Sequence, residues 1–284
     1  MTATASGSVQ PLSRSEFAAL QGLIQREAGI FLSEVKEALL VGRLSRRLRE
    51  LGLTSFAAYH RLVQEDETER VRMLDAICTN ETHFFREPRQ FEFLERQVLP
   101  MWQAEVERGE RTRTVRVWSA ACSTGEEPYS VAMLLLDRLP GWNVEILATD
   151  LSTRVLEKAR AALFPLERSA EIPPEYLKRF MLRGVGPQEG RMKAGPELRA
   201  VVRFQRLNLN DESYAAPQAL DLVFCRNVLI YFRPETKARV VERLVRHLSP
   251  RGHLLLGHAE SASGLTVRVR SVGPNVYSRE DRTS

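Results

Sequence analysis

The sequence predicts an α/β protein with a mostly parallel sheet, preceded by a small all-helical domain. From about residue 114 onward, short apolar runs alternate with helical patterns, which is typical of a parallel sheet flanked by helices. Before residue 79 the apolar residues recur at three- to four-residue spacing, which indicates helices only. A stretch rich in glycine and proline, at about 164–203, interrupts the alternation and indicates a small antiparallel insertion.

The predicted helical domain covers residues 13–78 and follows a tail, residues 1–12, that we expect to be disordered. Its helices are expected to begin at Ser13 and to cover about 33–51, 55–64 and 67–78. Ser33 is the expected N-cap of the second helix, and Gly52 ends it. Beside the leucines of this helix runs a basic stripe of Lys36, Arg43, Arg46 and Arg47. This stripe is either a docking surface for an acidic partner or a solvated charged face.

The segment 79–90 links the helical domain to the α/β domain, which we place at 91–284. Strands are predicted at 115–119, 144–150, 220–226 and 253–257. Helices are predicted at 91–108, 127–139, 153–162 and 234–248. The last segment, 265–277, is predicted to form two strands joined near Gly273 and Pro274, as an antiparallel hairpin.

Composition excludes several classes of protein. The chain has 284 residues, 41 Lys and Arg against 36 Asp and Glu, and no apolar run long enough to span a membrane. Its first residues lack the charged and apolar regions of a signal peptide, so we expect a cytoplasmic protein. The cysteines, which are Cys78, Cys122 and Cys225, form no CxxC pair and are expected to be reduced thiols. No spacing of histidines predicts a metal site.

The segment 118–128 joins the first predicted strand to a helix, the position at which nucleotide-like ligands bind in such sheets. Its small residues would let the backbone approach a ligand, but a single glycine is not a dinucleotide-binding pattern. Glu126 and Glu127 stand where a pyrophosphate requires a helix N-terminus free of negative charge. The pair therefore suits a ligand with a cationic end, or it only stabilises the helix dipole.

Polar residues also follow two other predicted strands. Asp150 ends the second strand, where a carboxylate can accept hydrogen bonds from ribose hydroxyls, although it could simply cap the next helix. Arg226 and Asn227 follow the apolar run 220–225, and Tyr231 lies slightly further on. These residues are either ligand contacts at the sheet edge or a solvated strand end. The linker 79–86 is unusually rich in polar and aromatic residues for a segment without a role.

Six motifs occur in one order along the chain: TNETHFFRE, VWSAACSTGEEPYS, ATDLS, RGVGPQEG, FQRLNL and FCRNVLIYF. With these motifs the chain resembles the bacterial chemotaxis receptor methyltransferases over about residues 13–278. The resemblance implies an S-adenosylmethionine-dependent methyltransferase (Rossmann-like) sheet whose last strand is antiparallel, with a small β-subdomain. It implies cofactor contacts at Asn80, Thr82, Arg86, Glu126, Glu127, Asp150, Asn208, Leu209, Arg226 and Asn227. It places Arg86 and Tyr231 nearest the transferred methyl group, as the catalytic residues.

The resemblance also implies the acceptor and the partner. The expected reaction forms methyl esters on glutamate side chains of chemoreceptors, in chemotaxis adaptation. The helical cytoplasmic part of a receptor would dock on the basic stripe, and a receptor C-terminal peptide would add to the β-subdomain at about 183–190. Two alternatives are methylation of RNA, which a basic chain permits although no RNA-binding pattern is visible, and a non-catalytic protein that binds the cofactor and signals.

Overall fold

The computed structural model describes residues 9–265 and 267–279. The helical domain contains α1 (Arg14–Ala28), α2 (Glu37–Glu50), α3 (Phe56–Glu65) and α4 (Glu67–Ile77), which confirms its predicted helices. A capping box begins α1, since Ser13 accepts from the Glu16 N–H and the Glu16 carboxylate accepts from the Ser13 N–H. Ser33 makes no side-chain cap, because a 3₁₀ turn (Glu34–Lys36) precedes α2.

The tail predicted at 1–12 is described only from residue 9 onward, and residues 1–8 lie outside the described residues. The expectation of disorder is wrong for residues 9–12, which pack against the helical domain. The Gln10 N–H donates to the Thr54 carbonyl at 2.8 Å, and the side chains of Val9 and Leu12 contact the domain core. Burial of these two apolar side chains offsets the entropy lost on ordering so short a segment.

A buried carboxylate joins three helices of this domain. Glu69 on α4 is 2% exposed, and both of its oxygens accept from the Arg47 guanidinium on α2 at 2.6 and 2.8 Å. The Tyr59 hydroxyl on α3 donates to the same carboxylate at 3.0 Å. Since removing one partner would leave a buried charge unpaired, this network fixes the relative positions of the helices.

The α/β domain begins with a helical segment that includes α5 (Pro88–Phe93), a π-helical turn (Leu94–Val98) and α6 (Leu99–Glu107). Further helices are α7 (Glu126–Arg138), α8 (Thr153–Ala161), α9 (Pro174–Phe180), α10 (Pro196–Val201) and α11 (Pro234–His247). The strands are β1 (Thr114–Ala120), β2 (Asn143–Asp150), β3 (Leu163–Pro165), β4 (Met181–Arg183), β5 (Arg191–Ala194), β6 (Val202–Arg206), β7 (Leu220–Cys225), β8 (Leu248–Leu256), β9 (Val269–Gly273) and β10 (Val276–Arg279).

The main sheet has the strand order β6-β2-β1-β7-β8-β10-β9. The first five strands in that order are mutually parallel, and β10 is antiparallel to both of its neighbours. The predicted sheet with an antiparallel last strand is thus confirmed. In the register, Ala120 lies opposite both Thr149 and Cys225, so the carboxyl ends of β1, β2 and β7 lie side by side. This edge is where such sheets bind ligands.

The predicted antiparallel insertion is confirmed as a separate three-stranded sheet of order β3-β5-β4. Among the strands of the main sheet, one was missed. The strand β6, which overlaps the end of the predicted insertion, is an edge strand of the main sheet and pairs in parallel with β2. Among its residues only Val202 is buried, so the sequence lacks the continuous apolar run of a buried strand. Among the described residues, no helix combines the length and apolar character that crossing a bilayer requires.

Candidate active site

A crevice lies at the carboxyl ends of β1, β2 and β7 and encloses about 1080 Å³ of empty space, its open mouth included. Three parts of the chain form its walls: the linker 79–86, the loops that follow the parallel strands, and the helical domain. The helical domain is therefore part of the site rather than a separate module.

The crevice gathers every residue that the sequence analysis proposed for the site, except Glu126. The residues that line it are Asn80, Thr82, Arg86, Glu127, Asp150, Asn208, Leu209, Arg226, Asn227 and Tyr231. They are distributed over five separate segments of the chain. Only the parallel sheet, which brings its strand ends to one edge, can place them together.

The turn after β1 allows close approach of its backbone. Ala121 and Ser123 have φ values of 65° and 49°, in the left-handed region that is uncommon for residues with a side chain. Gly125 has a φ of 97°, and a Cβ at this position would lie 3.1 Å from the Ala159 Cβ. Such strained backbone persists only where neighbouring groups hold it, and functional sites commonly contain it.

Asp150 is the group that holds this turn. One carboxylate oxygen accepts from the Ser123 N–H at 2.9 Å, and the other accepts from the Ser152 N–H at 2.9 Å. Burial raises the pKa of Asp150, and the two N–H groups partly oppose that rise. Each carboxylate oxygen can accept two hydrogen bonds, so both retain capacity toward the crevice. The donor set of a ribose, two adjacent hydroxyls, fits this remaining capacity.

Glu127 and Arg226 form a buried ion pair that also lines the crevice. The Arg226 Nε donates to Glu127 at 2.7 Å, and the Ser119 hydroxyl donates to the other Glu127 oxygen at 2.6 Å. The Arg226 Nη1 donates to the Arg86 carbonyl at 2.7 Å and to the Gln90 side chain at 3.0 Å. The Arg226 Nη2 has no hydrogen-bond partner within residues 9–265 and 267–279. It is the part of this guanidinium that a ligand can use.

Glu126 does not belong to the crevice. Its carboxylate accepts from the Thr124 hydroxyl at 2.6 Å, and burial raises its pKa. Consecutive residues of an α-helix point about 100° apart, so only one of the two adjacent glutamates at the start of α7 can face the ligand. Of the two glutamates expected to contact the cofactor, Glu127 lies in the crevice wall and Glu126 does not.

Asn208 and Leu209 line the crevice but differ in what they offer. The Asn208 amide donates to the Glu27 carbonyl at 2.6 Å and accepts from the Asn210 N–H at 3.0 Å, so both of its ends have protein partners. The hydrogen bond from Asn208 to Glu27 thus connects the helical domain to the crevice wall. Leu209, which is 6% exposed, contributes an apolar surface. Apolar contact of this kind suits a flat aromatic base.

Arg86 and Tyr231 are both half-buried in the crevice wall. The Arg86 Nη1 donates to the Glu81 carbonyl at 3.1 Å. The Lys36 ammonium lies over the Tyr231 ring, 5.4 Å from the ring centroid. The backbone carbonyl of Tyr231 accepts from the Phe31 N–H at 2.8 Å. Two cationic side chains, Arg86 from the linker and Lys36 from the helical domain, thus reach the crevice, and Lys36 lies over the Tyr231 ring.

Several lining residues were not proposed for the crevice by the sequence analysis. The helical domain contributes Leu32, Lys36, Leu39 and Arg43, which no local pattern could assign to a site formed by distant strands. Ser123, whose hydroxyl donates to the Asn80 carbonyl at 3.1 Å, joins the linker to the turn after β1. A polar residue beside a strand-to-helix turn is a signal that could have identified Ser123.

Comparison with known proteins agrees with this geometry. The family model described as "CheR methyltransferase, SAM binding domain" matches residues 80–277, and the model described as "CheR methyltransferase, all-alpha domain" matches residues 15–78. The chain is 42% identical to chemotaxis protein methyltransferase 2 of Pseudomonas aeruginosa over 94% of this chain and 93% of that protein. It is 41% identical to the chemotaxis protein methyltransferase of Escherichia coli K12, over 94% of this chain and 91% of that protein.

A more distant relative matches nearly as much of the chain. The chemotaxis protein methyltransferase of Borreliella burgdorferi is 35% identical over 89% of this chain and 90% of that protein. The family models cover both the helical domain and the sheet with its crevice, and these relatives match over almost their full length. The chain therefore belongs to the CheR methyltransferase family, with an N-terminal all-alpha domain and an S-adenosylmethionine-binding methyltransferase domain.

Proposed function

We propose that this protein transfers the methyl group of S-adenosylmethionine to glutamate side-chain carboxylates of chemoreceptors and forms glutamate methyl esters. The observation that carries the proposal is the distribution of charge in the crevice. Two carboxylates, Asp150 and Glu127, line the crevice, and the cationic side chains of Arg86 and Lys36 also reach it, with the Lys36 ammonium over the Tyr231 ring. The carboxylates suit a ribose and a cationic ligand, and the cationic side chains suit an anionic acceptor.

The residues on the carboxylate side would hold the cofactor, which supplies a methyl group activated by a sulfonium. Asp150 has unused acceptor capacity for the two ribose hydroxyls. Glu127 can accept from the ammonium of the methionine end, and the free Nη2 of Arg226 can donate to its carboxylate. Leu209 and the exposed backbone near Ala121 provide surface for the adenosine.

The residues on the cationic side would position the acceptor. A glutamate with a pKa of about 4.3 is already ionised at neutral pH, so the reaction needs no general base. Arg86 and Tyr231 can instead align the carboxylate oxygen with the methyl carbon and the sulfur. Good alignment can lower a barrier by roughly 7–11 kcal/mol in the best-oriented systems. Pairing that was too tight would stabilise the ground state, so placement is their role.

We further propose that the β-subdomain captures a C-terminal peptide of the receptor. Supporting this, β4 is an edge strand, and the adjacent segment 183–190 carries an exposed apolar side chain at Val185, which is 79% exposed. Leu182 on β4 is 53% exposed. An edge strand has unpaired backbone N–H and C=O groups that a peptide can bond to, and its exposed apolar side chains can be buried against that peptide.

The basic stripe of Lys36, Arg43, Arg46 and Arg47 supports docking only in part. The Arg43 guanidinium is turned inward and donates to the Ile77 carbonyl and to the Thr79 hydroxyl. Arg47 is paired with the buried Glu69. Lys36 reaches the crevice, and Arg46 is 83% exposed. We propose that Lys36 and Arg46 are the members of the stripe that contact a receptor.

The function is tested by incubating the protein with S-adenosylmethionine labelled on its methyl group, together with receptor-bearing membranes or with RNA. We expect label on the receptor that alkali releases as methanol, as an ester requires. Label that alkali does not release, label on RNA, or cofactor binding without transfer would each contradict the proposal.

A further inference from the structure

A buried carboxylate in the loop after β8 binds the backbone of a segment that lines the crevice. The carboxylate belongs to Glu260, which is 3% exposed. One of its oxygens accepts from the Asn227 N–H at 2.9 Å and from the Gly257 N–H at 2.7 Å. The other oxygen accepts from the Leu229 N–H at 2.7 Å and from the Ile230 N–H at 3.3 Å. Three of the four donors therefore belong to one short segment of chain that follows β7.

This segment contains a single 3₁₀ turn, Leu229–Tyr231. Within the turn region the Tyr231 N–H donates to the Val228 carbonyl at 3.1 Å. The first N–H groups of such a turn have no partner inside it, and a side-chain oxygen that accepts from them acts as a cap. Glu260 accepts from the N–H groups of the first two residues of the turn. It therefore caps the turn that carries the Tyr231 phenol.

The residue that follows the end of the adjacent strand by two positions has a strained backbone, and the same carboxylate holds it. Asn227 has a φ of 59°, in the region that is uncommon for residues other than glycine. Such a conformation persists only where neighbouring groups fix it. Besides the hydrogen bond from Asn227 to Glu260, a Cβ at Gly257 would lie 2.7 Å from the Asn227 nitrogen. The loop after β8 thus lies directly against Asn227 and fixes the direction in which the chain leaves β7.

The loop that carries Glu260 is itself held by two distant parts of the chain. The Asn275 amide, in the turn between β9 and β10, donates to the Gly257 carbonyl at 2.6 Å and to the Glu260 carbonyl at 3.1 Å. The Glu87 carboxylate, in the linker, accepts from the His258 N–H at 2.8 Å. Neither Glu260 nor Asn275 lines the crevice. Both side chains can therefore influence the crevice only through the backbone that they hold.

Backbone groups alone satisfy the Glu260 carboxylate. No arginine, lysine or histidine of the described residues forms an ion pair with it. A buried charge is costly unless hydrogen bonds compensate its lost hydration, and four N–H groups do so here. The carboxylate therefore favours the one backbone arrangement that presents all four N–H groups to it.

We propose that Glu260 is a positioning residue, which sets the backbone of the turn that carries Tyr231 without touching substrate or cofactor. The inference rests on the proposed function, in which Arg86 and Tyr231 align the acceptor carboxylate with the methyl group. Alignment is sensitive to small errors, since a displacement of about 1 Å can cost roughly 100-fold in rate. The loop after β8 and the hairpin of β9 and β10 therefore contribute to the rate of transfer, although they lie outside the crevice.

Replacing Glu260 by glutamine tests this role, because an amide has one acceptor oxygen where the carboxylate has two. We expect kcat to fall about tenfold, as for the loss of roughly one to two hydrogen bonds to a charged group. The KM for the receptor and the affinity for S-adenosylhomocysteine should change less than about threefold. Glu260→Asp, which keeps both acceptors, should recover part of kcat. Amide hydrogen exchange at Leu229 and Ile230 should increase in Glu260→Gln, which is a readout independent of methyl transfer.

A second variant weakens the same loop more gently. Asn275→Gly removes the two hydrogen bonds to the loop and remains compatible with the φ of 54° at this position. We expect kcat to fall about threefold, as for the loss of neutral hydrogen bonds, with unchanged affinity for S-adenosylhomocysteine. Because both side chains act through one loop, the double variant should lose less than the roughly thirtyfold that independent effects would give. A loss equal to the full product would contradict a shared route.

Asp221 provides the matched control, because it is a buried acid at the opposite end of β7. Its carboxylate accepts from the Arg116 N–H at 2.8 Å and from the Arg111 guanidinium at 2.6 Å. Asp221→Asn should lower the thermal midpoint and leave kcat at low temperature unchanged. An equal loss of kcat in Asp221→Asn and Glu260→Gln would show that activity follows stability, and it would overturn the positioning role.

The outcomes separate this inference from the proposed function. A wild-type protein that forms no ester on the receptor overturns both. An active wild-type protein whose kcat at low temperature is unchanged in Glu260→Gln overturns the positioning role alone, even if the thermal midpoint falls. If Glu260→Gln does not fold, an unchanged kcat in Asn275→Gly overturns it. A lower kcat with an unchanged receptor KM and faster exchange at Leu229 and Ile230 supports it.

Discussion

The Asp150 side chain stabilises the turn after β1 and also offers hydrogen-bond acceptors to a ligand. Its two oxygens accept from the N–H groups of Ser123 and Ser152, and the side chain lines the crevice. Because the side chain is buried, any unmet acceptor would be costly in the absence of ligand unless water fills the crevice. The same burial makes a hydrogen bond to a ligand stronger than it would be in water.

Replacing Asp150 by asparagine should therefore weaken the binding of S-adenosylhomocysteine. Removing hydrogen bonds to a charged acceptor costs about 1.5–3 kcal/mol, which corresponds to roughly a 10- to 150-fold higher Kd. Isothermal titration calorimetry measures the change. Glu126→Gln is the matched control, because Glu126 is a buried acid of the same wall region that lies outside the crevice. Equal losses in both variants would contradict the assignment.

The pKa of Asp150 predicts how binding depends on pH. Burial raises this pKa above its usual value of about 3.9, so the carboxylate gains a proton at a higher pH than an exposed aspartate does. A protonated oxygen no longer accepts as well, so affinity for S-adenosylhomocysteine should fall as pH decreases toward the raised pKa. Titrations over a pH series check this. If the affinity of the Asp150→Asn variant for S-adenosylhomocysteine fell in the same way at low pH, this explanation would be contradicted.

At the residue level the sequence predicted much of the site, because polar residues at strand ends are conspicuous after apolar runs. Asp150, Arg226 and Asn227 were found in this way. The choice between Glu126 and Glu127 could not be made, since it depends on the rotation of α7 about its axis. Glu260 was missed, because its role lies in backbone contacts with the distant segment 227–230.

At the level of elements, buried strands and amphipathic helices were predictable, and edge elements were less so. Each of the residues of β7 is buried, and its apolar run predicted it directly. The edge strand β6 buries only Val202, and its other residues are half-buried or exposed, so its sequence lacks the apolar run of a buried strand. The glycine and proline residues correctly predicted the position of the inserted sheet, because its turns require them.

The inserted sheet depends on one glycine in particular. A Cβ at Gly184 would overlap the carbonyl oxygen of Gln188, so Gly184→Ala must displace the loop that follows β4. We expect binding of a receptor C-terminal peptide to weaken about tenfold or more, since such overpacking typically costs 1–3 kcal/mol. Affinity for S-adenosylhomocysteine should be unchanged. Fluorescence anisotropy of a labelled peptide measures the first quantity.

A second glycine gives the control for that experiment. Gly42 lies on the exposed face of α2, and a Cβ there would meet no atom within 4 Å. Gly42→Ala should leave peptide binding unchanged and raise stability by about 0.5–1 kcal/mol. If the Gly184→Ala variant bound the peptide as tightly as the Gly42→Ala variant, the proposed peptide-binding site would not lie at this loop.

For the whole molecule, the important feature is that the helical domain completes the crevice. Carbonyls at the end of α1, which have no partner within the helix, accept from side chains of the α/β domain. The Asn208 amide donates to Glu27, and the Asn210 amide donates to Arg26 at 2.8 Å. The sequence predicted two domains but not their contact, because docking depends on such single pairings between distant segments.

The Asn210 contact can be tested without altering the crevice. Asn210→Ala removes one side-chain hydrogen bond across the boundary and should lower the free energy of unfolding by about 1 kcal/mol. Hydrogen exchange should increase at the end of α1. Asn143→Ala is the control, since its amide bonds only to Glu145 on the same strand and is exposed. Unchanged exchange at α1 in Asn210→Ala would show that this contact does not couple the domains.

The central claim is that the protein methylates glutamates, with the cofactor held by Asp150 and Glu127 and the acceptor positioned by Arg86 and Tyr231. Mass spectrometry of receptor peptides, after incubation of the receptor with this protein and S-adenosylmethionine, tests it most directly. The account predicts methyl esters on glutamate side chains of acidic helices, and their loss when Asp150→Asn replaces the wild-type protein at limiting cofactor. Methylation on any other side chain, or unmodified receptor peptides with the wild-type protein, would contradict it.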